Sequence, residues 1–120
     1  MILYHFTCDH GAAGIEADHG AIVPRYQPLR GVGVVWLTND PSATRADLGL
    51  SSLILGCDRM AWRFEVPEPV DAVPWDGIRH KFRHGHILES TKGTRPSAWY
   101  LSRTPQAARG APIRVAPPSP

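Results

Sequence analysis

Leu3-Tyr4-His5-Phe6-Thr7 (LYHFT), following Met1 and Ile2, is the stretch from which the rest of the chain is read. Strand alternation places Leu3, His5 and Thr7 on one face and Tyr4 and Phe6 on the other. A helical signal follows at once, with Asp9 as N-cap, Ala12, Ala13, Ile15, Glu16 and Ala17 running on, and Gly20 as the stop. A strand that ends in polar residues and hands over to a helix is a common place for chemistry. From this stretch alone His5 has two readings: a hydrogen-bonded histidine at a strand edge, which is the plainer one, or a ligand-binding imidazole.

At 120 residues the chain is long enough for one domain with its own core. Apolar residues make up 42% and charged residues 20%, the balance of a soluble globular protein. No apolar run approaches the roughly 20 residues a membrane helix needs, and the N-terminus lacks the pattern of a signal peptide. These features predict a cytoplasmic protein with no membrane contact. In that compartment Cys8 and Cys57 are expected to be reduced.

Working outward, Gly20 to Gly33 reads as a loop carrying Arg25, Tyr26 and Arg30. Val32 to Thr38 (VGVVWLT) is a strong strand, with Val34, Trp36 and Thr38 on one face and Val35 and Leu37 on the other. Asp40-Pro41-Ser42 opens a short helix to about Leu48. Ser51 to Asp58 is ambiguous, whereas Met60 to Val66 (MAWRFEV) alternates cleanly, with Trp62, Phe64 and Val66 toward the core and Arg63 and Glu65 away. Asp71 to Trp75 and Ile87 to Glu89 are candidate strands, separated by a weak helix or loop over Asp76 to Arg83. Ala98 to Leu101 is the last strand. After residue 104 five prolines fall in sixteen residues, and that composition predicts an extended or disordered tail with little packing. The expectation is a single domain over 1–103 and a proline-rich tail over 104–120. Short strands and two or three short helices out of strict alternation describe an α+β domain on an antiparallel or mixed sheet.

The chemistry-bearing residues form few patterns. Net charge is +2, with a local basic patch from Arg79 to Arg95 that is too small for a general nucleic-acid binder. His80, His84 and His86, with Cys8 and His10 elsewhere, match no metal-ligand spacing, and no metal is expected. Cys8 near His5 and His10 at a helix start could be a nucleophile or simply a small buried thiol. Phosphate-binding signatures are absent. What remains is a set of strands that each carry an aromatic beside a polar group: His5-Phe6-Thr7, Trp36-Leu37-Thr38, Trp62-Arg63-Phe64-Glu65 and Trp99-Tyr100. Such a set lines either a nucleotide cleft or the core of a small sheet protein.

In order, Tyr4-His5-Phe6-Thr7 with its short helix, then Val35-Trp36-Leu37-Thr38, resemble the first two motifs of the histidine-type ADP-ribosyltransferase fold. RNA 2′-phosphotransferases and the DNA-modifying ADP-ribosyltransferases of toxin–antitoxin systems share that plan. The resemblance implies that NAD is the substrate and that ADP-ribose passes to a macromolecular acceptor, protein or nucleic acid. It implies a dinucleotide site of His5, Phe6, Thr7, Trp36, Thr38 and Arg63, with His5 on a ribose hydroxyl, Thr7 supporting it and Trp36 near nicotinamide. The family's late-strand glutamate has no counterpart in Ala98 to Leu101. Glu89 is the nearest candidate and Glu65 a weaker one, because Arg63 on the same face is placed to pair with it. A 2′-phosphotransferase acting on RNA and a non-catalytic phage or bacterial interaction protein that retains the fold are the alternatives.

Overall fold

The computed structural model describes residues 1–24, 33–44, 60–81 and 95–115. Glu89, Cys57, Tyr26, His84, His86, the ambiguous segment 51–58, the candidate strand 87–89 and the middle of the basic patch lie outside those residues.

The LYHFT stretch is a strand, β1 (Leu3–Thr7), and it sits inside the sheet rather than at its edge. The other strands are β2 (Ala21–Ile22), β3 (Val35–Thr38), β4 (Trp62–Val66), β5 (Val73–Pro74), β6 (Trp99–Ser102), β7 (Gln106–Ala107) and β8 (Arg109–Arg114). Among the described residues two short α-helices join them, α1 (Asp9–Ala17) and α2 (Trp75–Ile78). The main sheet has the order β5-β6-β3-β1-β4-β8, every described pairing is antiparallel, and β2 and β7 form a separate pair. The result is an α+β fold on an antiparallel sheet with few helices. No helix of the described residues is long and apolar enough to cross a membrane.

The period-2 pattern assigns every strand residue to a face. Register pairs His5 with Phe64, Leu3 with Val66 and Thr7 with Trp62. Those residues share a face with Val35 and Leu37, and Ala12, Ile15 and Ile22 close over it to make one core. The opposite face carries Val34, Trp36, Trp99 and Leu101, and α2 covers it with Trp75 and Ile78. Branched and aromatic side chains make up most of each layer, and the buried polar Thr38 and Ser102 are held by hydrogen bonds.

Helix α1 begins one residue earlier than Asp9 suggested. Cys8 is the N-cap, extended at φ −84° and ψ 178°, and its Sγ accepts from the Gly11 N–H at 3.5 Å. Asp9 is thereby freed to accept from Trp62 Nε1 at 2.7 Å and from Arg114 at 3.3 Å. The helix ends through two left-handed residues, His19 (φ 56°) and Gly20 (φ 89°), with the Gly20 N–H reaching the Ile15 carbonyl at 2.8 Å.

The expectation of a poorly packed tail is corrected over residues 105–115. Gln106 is buried, and its amide accepts from the Val70 N–H and donates to the Val70 and Thr104 carbonyls, each at 2.8 Å. β7 pairs with β2, and β8 pairs with β4 as the outermost described strand of the main sheet. Backbone pairing needs no apolar side-chain pattern, so composition did not announce it.

Candidate functional site

Among the described histidines, His5 is the one on a strand of the main sheet. Its Nδ1 lies 2.8 Å from the Trp36 carbonyl oxygen on the neighbouring strand. A carbonyl only accepts, so Nδ1 carries the proton and Nε2 is left as an acceptor. β1 and β3 share a single register pair, Tyr4 with Thr38, against five between β1 and β4. The histidine ring therefore serves as the bridge where the β1–β3 ladder gives out. Burial lowers the His5 pKa below its ordinary 6.5, and the hydrogen bond to Trp36 opposes that shift only in part. The ring is neutral at physiological pH and fixed in one tautomer.

Thr7 stands on the same face, where the backbone of α1 comes close. A Cβ added to Gly11 would fall 1.9 Å from Thr7 Oγ1 and 3.2 Å from Thr7 Cβ. Gly11 thus allows the first turn of α1 to lie against the end of β1, beside the threonine hydroxyl. Sequence reading passed over this residue, although a glycine in the first turn of a helix signals a close approach.

The other predicted site residues lie across the sheet from His5. Trp36 joins Trp75 and Trp99 in an aromatic cluster, with ring centroids 5.4–5.8 Å apart. Thr38 is buried, and its Oγ1 accepts from the Asp40 N–H at 3.2 Å, which fixes the turn after β3. Phe6 pairs in register with Arg63 on that same side. Arg63 lies over the Tyr4 ring, 5.3 Å from its centroid, and donates to the Pro41 carbonyl at 2.8 Å. The pairing of Arg63 with Glu65 is corrected: Glu65 takes Arg109 from β8 at 2.8 Å. The structure therefore places His5 and Thr7 on one face and Phe6, Trp36, Thr38 and Arg63 on the other, with the His5 ring reaching the Trp36 backbone.

Two surface depressions flank this region. One is lined by Glu16, His19, Gly20, Phe64 and the β8 residues Gly110 to Pro112, the other by Asn39, Asp40, Pro41, Arg95, Ser97 and Ala98. In the second, Asp40 holds Arg95 at 2.6 Å and caps the Ser42 N–H at 2.8 Å. His5 lines neither of them. No group of three potential metal ligands is present among the described residues. Comparison with protein-family models, with curated proteins and with solved structures finds no match.

Proposed function

We propose that the chain binds NAD on the α1 side of the sheet, around His5, and transfers ADP-ribose to a macromolecular acceptor, protein or nucleic acid. The observation that supports this reading is the His5 tether. A neutral imidazole, held by its Nδ1–H on the Trp36 carbonyl, offers Nε2 as a fixed acceptor for a hydroxyl donor such as a ribose. Thr7 adds a hydroxyl on the same face. Holding the ribose in one orientation favours loss of nicotinamide, because positive charge then develops at a carbon already positioned for attack. Glu89 remains the candidate acid for stabilising that charge.

The non-catalytic reading has specific observations of its own. Trp36, Thr38, Phe6 and Arg63 stand across the sheet from His5, and neither described depression reaches the imidazole. On that reading the histidine is a cross-strand tie and the chain acts by binding a partner.

His5→Asn separates the two. The asparagine amide can keep the donor to the Trp36 carbonyl while removing the acceptor at Nε2. Calorimetric titration with NAD, together with nicotinamide release, is the measurement. The expected result is at least a tenfold weaker affinity in the variant, about 1.4 kcal/mol, with the melting temperature preserved. Absence of NAD affinity in the unmodified protein at millimolar concentration overturns the transferase reading.

A further inference from the structure

β8 is the outermost strand of the main sheet among the described residues, and it carries a proline at 112 and a left-handed glycine at 110. Val115 donates its N–H to the Ala61 carbonyl at 2.9 Å, and the register continues through Arg114 with Trp62 and Ile113 with Arg63. Along a strand, backbone N–H groups point alternately to either side, so Val115 and Ile113 point toward β4 while Arg114 and Pro112 point away from it. Proline has no N–H. At position 112 its absence costs nothing against β4 and removes a donor from the outer side, as proline does on the edge strand of a sheet. Just before it the register with β4 shifts between Arg63 and Glu65, and Gly110 takes a left-handed φ of 71°. Such a bulge bends and twists the strand away from a straight edge. Arg109 and Arg114 flank the segment, and every residue of β8 except Pro112 is exposed.

We propose that Pro112, with the bulge at Gly110, is a guard that keeps the outer edge of β8 from pairing with a further strand, and that the strand it excludes is β8 of a second copy of this chain. Two such edges would meet antiparallel about a two-fold axis, with the same residues contributed by each. The need for a guard follows from the sheet itself. At the opposite end of the described strands β5 has two residues and ends in Pro74, so it offers little to pair with. β8 has six residues, with Ile113 half exposed at 50%, and without its proline would be a pairing template. This inference is independent of the reading of His5.

Pro112→Ala restores the missing N–H and frees φ, and Pro112→Thr does the same while adding strand propensity. Ala111→Thr raises strand propensity but leaves the proline in place. Self-association measured by sedimentation, with amide exchange at Arg114 as the local readout, tests the guard. Both Pro112 variants are expected to associate at least tenfold more tightly than the unmodified protein, with Arg114 exchange slowing as concentration rises. Ala111→Thr should behave as the unmodified chain. If Pro112→Thr does not fold, Pro112→Ala carries the test. Association unchanged in the folded Pro112 variants, or an unmodified protein already paired through β8, overturns the proposal.

Discussion

At the scale of one residue, His5 couples stability to pH. Its folded-state pKa lies below the unfolded value of 6.5, first because burial disfavours the imidazolium and despite the hydrogen bond to Trp36. The unfolded chain therefore binds more protons than the folded one between those two values. The stability contributed by the neutral ring is fully present above pH 6.5 and falls as pH drops toward the folded pKa. We expect urea unfolding between pH 5 and pH 7.5 to show stability rising with pH, by up to about 1.4 kcal/mol per pH unit from this group. His5→Asn should remove that slope while leaving the plateau above pH 6.5 close to the original. A slope that persists in the variant would assign the effect to another group.

At the scale of one element, α1 contains two glycines that should respond in opposite directions. Gly14 has nothing within 4 Å of where a Cβ would stand, so Gly14→Ala should stabilise by about 0.5–1 kcal/mol through the lower backbone entropy of alanine. Gly11 meets the Thr7 side chain at a distance that rotation of the hydroxyl does not relieve, because Thr7 Cβ is itself close. Gly11→Ala should cost about 1–3 kcal/mol as the helix is pushed off the strand. Adding Thr7→Ala should recover part of that loss, and a double-mutant cycle by chemical denaturation measures the coupling. Equal responses at the two glycines would mean that α1 does not lie on β1 as described.

At the scale of the molecule, the C-terminal segment closes the fold. Ending the chain at Thr104 would remove the Gln106 amide from the Val70 backbone, unpair β2 and leave β4 as a bare edge. It would also take away the Arg114 guanidinium, which lies over the Trp62 ring at 5.0 Å and reaches Asp9. The Val70 carbonyl keeps the Ser102 hydroxyl at 2.7 Å, so of the two Val70 groups only the N–H loses its partner, at a cost of no more than about 1 kcal/mol on an exposed residue. We expect the shortened chain to lose cooperative thermal unfolding or most of its stability, read by circular dichroism. A melting temperature within a few degrees of the full chain would show that these contacts contribute little.

Local chemistry determined much of this protein from sequence alone. The alternation in LYHFT, VVWLT and WRFEV fixed strand identity and the face of each side chain, because successive side chains in a strand must point to opposite sides. Glycine at position 20 marked the end of α1, because the left-handed turn there favours a residue without a Cβ. The same alternation already placed His5 apart from Phe6, but it could not say which face of β3 would meet which face of β1. That depends on register, which put Tyr4 opposite Thr38 and so set Trp36 across the sheet from His5. Tertiary structure alone also decided the fate of residues 105–115. Their backbone groups found partners on β4 and β2, and hydrogen bonds between main chains distant in sequence leave no trace in side-chain pattern.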